Sequence, residues 1–262
     1  MDIRSFRFPS HKDTVHVLIL CLAANGDSSY RDADSMARIM VERFRAHVTI
    51  LSDHPRRPFK TVSDLIRVHI VKNKDDCVHT IREVVGLLPE MSNLLFFISA
   101  HGYSQPAIGI HRDRELNGRS EYLKLGGMNL YDYELFSALY DNMRSDTRSL
   151  CLVDTCHSGT MLDLEYVSTD GGKTFKRSRQ VLTNRPWSVC ISACGDAEST
   201  GEDVSSYGGW GGASWPRNIL TFLRHNEARL MYMHFLHRSL CSSRDSVCNA
   251  PHRYSATIHK KR

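Results

Sequence analysis

Long apolar runs are missing from this 262-residue chain, and no stretch approaches the roughly 18 apolar residues that a membrane-spanning helix needs. The opening segment, Met1-Asp2-Ile3-Arg4-Ser5-Phe6-Arg7, lacks the apolar centre of a secretory signal. One-sided charge is missing too. The 34 basic and 29 acidic residues leave a formal charge of +5, spread along the chain rather than gathered on a face or tail; a nucleic-acid footprint should cluster. No Cys-x-x-Cys or His-x-x-x-His pair supports a zinc site. The arginine that a cysteine phosphatase places six residues after its thiol is absent, since Leu162 stands six residues beyond Cys156. There is no internal repeat or low-complexity segment. These absences leave an expectation of a soluble, cytoplasmic protein with no nucleic-acid or membrane partner and no organic cofactor. The eight cysteines fit that compartment. Cys21, Cys151 and Cys190 fall inside apolar, strand-like runs and read as buried thiols in a reducing environment.

What is present is an alternation of short apolar runs and helical periodicities. At 41% hydrophobic content the chain can bury a sizeable core. Residues 15–23 read as a central strand, 32–45 as a helix with Met36, Ile39, Met40 and Phe44 on one face, and 47–51 as a second strand. A helix over 75–88 carries Val78, Ile81, Val85 and Leu88 at helical spacing. Strand 94–100 follows, then a long polar connection over 103–128, a helix over 132–143 and a strand leading to Cys156. After a loop over 165–185 come a strand at 187–193, helices at about 213–225 and 227–241, and a short edge strand from about 252. Strands alternating with helices predict an α/β fold, a three-layer α/β/α sandwich with a central, mostly parallel sheet.

In such a sheet ligands bind beyond the carboxyl ends of the strands. His101 and Cys156 both stand at such ends. A thiol attacks a carbonyl as thiolate, so a neighbouring imidazole that takes its proton makes a nucleophile of it. The pairing points to cysteine-dependent peptide cleavage. His157 adjoins Cys156, but consecutive residues leaving a strand diverge in direction, which favours His101 as the base.

Asp154-Thr155-Cys156-His157-Ser158-Gly159, with Leu162-Asp163-Leu164 and Tyr166 after it, closely resembles the large-subunit signature of metacaspases, the caspase-related peptidases of plants, fungi, protists and bacteria. Ser99-Ala100-His101-Gly102 resembles their histidine motif, with Ala100 where glycine is usual. Asp32-Ala33 with Met36 is similar to an Asn-Asp-Ala segment, though Ser29 and Arg31 replace its usual cysteine and asparagine. Ile191-Ser192-Ala193-Cys194-Gly195-Asp196 and Gly212-Ala213-Ser214-Trp215 are similar to the small-subunit segments. The matches run from about residue 15 to 225.

The resemblance implies one caspase-like peptidase domain over 1–262: a large-subunit-like part (about 10–165), a basic intersubunit loop (166–186) and a small-subunit-like part (187–262). Little room precedes the first strand for an extended prodomain, so a minimal, type I-like, monomeric peptidase is expected. Cys156 would attack the scissile carbonyl, His101 would assist and protonate the leaving amine, and the backbone N–H groups of Gly102 and Cys156 would hold the oxyanion. Asp154 lies two residues before the nucleophile, on its face of the strand, and Asp32 follows the first strand. Two carboxylates there would repel unless a substrate Arg or Lys lay between them. Asp32 alone could equally cap a helix. Family members cut after Arg or Lys with aspartates at these positions, and Ser99 would form a polar wall.

Many family members need calcium. Asp163 matches one of their ligands, Asp132 another, and Asp113 and Glu115 could complete an oxygen cluster; Tyr133 stands where the family has a further aspartate. Lys173, Lys176, Arg177 and Arg179 in the basic loop are candidate sites of self-cleavage. The rival reading is a non-catalytic binding or regulatory module, for which Ala100, Tyr133 and the altered flank of Asp32 leave room.

Overall fold

The computed structural model describes residues 14–22, 28–54, 59, 63–109, 115, 118–168, 176–177, 186–192 and 255–259. Six parallel strands form the centre of its main sheet: β1 (Val15–Leu22), β2 (His47–Ser52), β3 (Ile66–Ile70), β4 (Asn93–Ala100), β8 (Arg148–Asp154) and β11 (Trp187–Ser192). Their spatial order is β11-β8-β4-β1-β2-β3. Beyond β11 the sheet continues antiparallel through β12 (Ser255–His259), β9 (Tyr166–Ser168) and β10 (Lys176–Arg177). The expected α/β sandwich with a mostly parallel sheet is therefore the observed architecture.

The continuous apolar runs have a simple cause: both faces of the central strands are covered. Phe97 packs in the core beneath α1 (Ser28–Phe44) with Ile19, Met36 and Met40, while Phe96 lies in the core on the other face with Leu18, Leu20 and Ile81. Burying each such side chain contributes about 1.5–3 kcal/mol. The second face is covered by α2 (Lys74–Gly86), through Cys77, Ile81 and Val85, and by α3 (Asp132–Tyr140), through Leu135, Ala138 and Leu139.

Three local expectations are corrected. α1 begins at Ser28 rather than 32, because buried Tyr30 extends the apolar stripe of Ala33 and Ala37 by one turn. β3 has no counterpart in the apolar pattern of the sequence: it lies at the end of the sheet order, and Val68 and Ile70 are exposed, so its residues carry no burial pattern. The polar connection over 103–128 contains a second sheet, formed by β5 (Gly102–Pro106), β6 (Arg119–Leu125) and β7 (Met128–Tyr131), antiparallel in that order. Along β6, Glu121, Leu123 and Leu125 are buried while Tyr122 and Lys124 are not. A carboxylate occupies one of the inward positions, which hides the two-residue alternation that marks a strand.

The N-terminus of α3 is anchored from two sides. Glu134 accepts a hydrogen bond from the Tyr131 N–H (2.9 Å) and an ion pair from Lys74 of α2 (2.6 Å). This closes the first turn on itself and holds Asp132 at its start. The helices expected at 213–225 and 227–241 lie outside the described residues. Among the described residues, no helix is long and apolar enough to cross a membrane.

Candidate active site

Ser99 of β4 faces Asp154 of β8 in register, the last matched pair of two directly hydrogen-bonded parallel strands. His101 lies two residues beyond Ser99, and Cys156 two residues beyond Asp154. Parallel pairing therefore carries the imidazole and the thiol off the same edge of the sheet at equal steps. His101 is exposed and Cys156 half-buried, whereas the other described cysteines (Cys21, Cys77, Cys151 and Cys190) are buried thiols outside any disulfide. Cys156 is thus the one described thiol a substrate can reach.

Gly102 joins the two segments physically. A Cβ built on it would run into the Cys156 carbonyl oxygen and stand 2.9 Å from Thr155 Oγ1. The backbone after the histidine is packed directly on the backbone of the cysteine, and only a residue without a side chain fits there. Thr155 Oγ1 in turn donates to the Cys156 carbonyl at 3.1 Å. Immediately afterwards the chain turns through a left-handed residue, His157 (φ 52°).

The two aspartates of the expected pocket stand close enough to affect one another. Asp32, in α1, is only 7% exposed, and its carboxyl is pushed up to about 7 by burial first and then by the Asp154 carboxylate, with Arg31 opposing. Buried Ser99 lies between β1 and β8 in the sheet, paired with Cys21 on one side and Asp154 on the other. The Cys21 thiol is raised by burial and then by Asp53 and Asp32, so acidic charge gathers at this end of β1. Asp53 accepts a hydrogen bond from Tyr30 Oη at 2.8 Å. Neither Asp53 nor Tyr30 bore a motif that singled it out in sequence.

A second acidic group lies under β6 and α3. Carboxylate oxygens of Glu115, Asp132 and Asp163 lie within 4.8 Å of one another, the one cluster of three or more metal-ligating side chains among the described residues. Asp132 is fully buried, and its carboxyl is pushed well above the ordinary range by burial, then by Asp163, Glu115 and Glu121. Glu121 is the residue that sequence reasoning missed. It too is fully buried, accepts from Thr160 Oγ1 (3.3 Å) and Ser104 Oγ (3.4 Å), and donates its N–H to Asp132 Oδ2 at 3.3 Å. Tyr133 donates its N–H to Asp132 Oδ1 (2.7 Å), while its ring stacks on Tyr131 at 5.2 Å. An all-oxygen set of this kind suits a hard cation such as calcium and not zinc. Asp113 lies outside the described residues.

No protein-family model and no curated protein sequence matches the chain. Solved structures do match. Protein GSU0716 from Geobacter sulfurreducens superimposes with a TM-score of 0.60 at 18% identity, over 95% of this chain and 93% of the other. The structure of pro-sf-caspase-1 gives a TM-score of 0.52 at 11% identity, over 99% of this chain and 92% of that one. The fold is caspase-like.

Within this caspase-like sheet, Lys176 and Arg177 of the basic loop form β10, whose backbone pairs antiparallel with Val167 and Tyr166 of β9. Lys173 and Arg179 lie outside the described residues, as do the segments around Cys194 and Gly212.

Proposed function

We propose that the chain is a cysteine endopeptidase of metacaspase type that cuts peptide bonds after Arg or Lys. The observation that carries this reading is the seating of Gly102 on the backbone of Cys156, which holds the histidine segment against the only reachable described thiol. In the reaction, His101 takes the thiol proton and Cys156 Sγ adds to the scissile carbonyl carbon. The backbone N–H groups of Gly102 and Cys156 stabilise the oxyanion. Collapse breaks the carbon–nitrogen bond as His101 protonates the departing amine, leaving a thioester that water hydrolyses.

Selectivity is assigned to Asp32 and Asp154, with Ser99 as a polar wall. Asp32 resists ionisation because it is buried beside a second carboxylate. A guanidinium or ammonium between the two removes that resistance, whereas an acidic side chain would deepen it. Glu115, Asp132 and Asp163 are the residues that would hold calcium, with Asp113 as a further candidate and Glu121 buttressing Asp132. Bound there, the cation would neutralise buried charge and tighten β6 against α3. Lys173, Lys176, Arg177 and Arg179 would serve as self-processing sites, and the active form would be a monomer.

The test is hydrolysis of matched fluorogenic peptides ending in Arg, Lys, Asp or Asn, with calcium or with chelator, using Cys156→Ala as blank. Cleavage of the Arg and Lys peptides alone is expected. Cleavage of the Asp peptide alone would refute the acidic pocket, and inactivity on all four would favour a binding or regulatory module.

A further inference from the structure

The small sheet that begins at Gly102 carries a row of stacked tyrosines on one face. Tyr103 stacks on Tyr122 with ring centroids 5.4 Å apart, Tyr122 lies 5.6 Å from Tyr131, and Tyr131 stacks on Tyr133 at 5.2 Å. The first three are cross-strand neighbours in register, Tyr103 with Tyr122 and Tyr122 with Tyr131, so the row crosses β5, β6 and β7 and continues onto α3. None of the four is buried. Three such steps match roughly four to five residues of extended chain at about 3.4 Å each.

This face has its own polarity. The positions that alternate onto it are Tyr103, Gln105, Tyr122, Lys124, Asn129 and Tyr131, with Ser120 buried at its margin, and they include a cation and no carboxylate. Lys124 Nζ sits 5.3 Å over the Tyr103 ring. Tyr131 Oη accepts from Gln105 Nε2 (3.0 Å) and Asn129 Nδ2 (3.3 Å). A phenol that already accepts two hydrogen bonds keeps its own proton for a further acceptor. An ammonium and an oriented hydroxyl on one aromatic face favour a carboxylate.

Position supplies the source of that carboxylate. His101 would protonate the leaving amine, so the downstream part of the substrate departs from the histidine side, and Tyr103 is two residues beyond His101. We propose that the tyrosine row binds the substrate chain downstream of the cut and favours acidic residues there, with Lys124 and Tyr131 as specificity residues. This rests on the peptidase reading above.

Internally quenched peptides with Arg before the cut and Glu, Gln or Lys at the second to fourth downstream positions test it. A short Arg-coumarin amide, which has no downstream residues, runs alongside. Wild-type kcat/KM is expected to favour the Glu peptide over the Lys peptide by about fivefold, the range of a partly exposed charge pair. Lys124→Glu should reverse that order, and Tyr131→Phe should lower the Glu-to-Gln ratio. Cleavage of the coumarin amide with equal rates on the Glu and Lys peptides would overturn the downstream site and leave the peptidase reading standing. The same preference in Lys124→Glu as in wild type would also overturn it. Failure to cleave the coumarin amide or any of the peptides would overturn the peptidase reading and this site with it.

Discussion

Asp154 stands near enough to buried Asp32 to help push its carboxyl up to about 7, although the two sit on different elements, a strand end and a helix. The pair is therefore incompletely ionised at neutral pH while no cation lies between the two groups. On Arg peptides, kcat/KM should rise as pH climbs through about 7 and Asp32 takes up its charge. Asp32→Asn should flatten that limb and lower kcat/KM by about tenfold or more, because the charge that would face the substrate cation is lost. A pH–rate profile measured on both proteins decides the matter.

The same shift acts on stability in the opposite sense. Folded Asp32 keeps a proton that the unfolded chain releases near 4, so its contribution is present below that value and is lost as pH rises toward 7. The Tm of the wild type should fall over this window, and that of Asp32→Asn should fall less. Parallel Tm curves for the two proteins from pH 4 to 8 would count against the buried pair.

Gly102→Ala forces a methyl group into the Cys156 carbonyl. The backbones must separate, which displaces the proposed oxyanion donors and should cost about 100-fold or more in kcat. Overpacking should lower stability by about 1–3 kcal/mol. Near-normal kcat in the alanine variant would show that the close contact is not needed for turnover.

Relief of repulsion among Glu115, Asp132, Asp163 and Glu121 should appear as a rise in Tm when calcium is added, measured by scanning calorimetry on the Cys156→Ala protein. Asp132→Asn should raise Tm in chelator and abolish the calcium response. Glu121→Gln should weaken that response, a result that Tyr133→Phe should not reproduce, since the Tyr133 ring stacks on Tyr131. A wild-type Tm unmoved by millimolar calcium would refute the site.

At the opposite end of the sheet, His16 of β1 and His47 of β2 are register partners with stacked rings 5.6 Å apart. His16 Nε2 is buried without a hydrogen-bond partner, and its pKa is lowered by burial and then by His47. A depressed histidine favours the fold while neutral. Its contribution is present above about 6.5 and lost as pH falls through the lower folded value. His16→Phe should reduce the acid-side loss of Tm between pH 7 and 5, and an unchanged acid limb would refute the assignment.

Much of this site could be read from residues in order. The runs ending at His101 and Cys156 were legible as strands because both faces are buried, so apolar residues follow one another without a gap. Asp154 could be placed at the carboxyl end of the strand that leads to Cys156, and the Cys156 motif pointed to peptidase chemistry. The edge strand β3 and the β5–β7 sheet were not legible. Exposure removes the burial pattern from the one, and inward-facing Glu121 interrupts it in the other.

Order along the chain settled which side chains could do chemistry, since a thiol, an imidazole and a carboxylate keep those capacities wherever they sit. Folding settled which of them meet. Glu115, Glu121, Asp132 and Asp163 lie on separate elements and become one acidic group only where β6 packs beside α3 and the turn after Cys156. The need for glycine at 102 has the same origin. No local turn there demands it; the requirement comes from a second backbone packed where a side chain would be, and such a contact has no signature in the residues on either side.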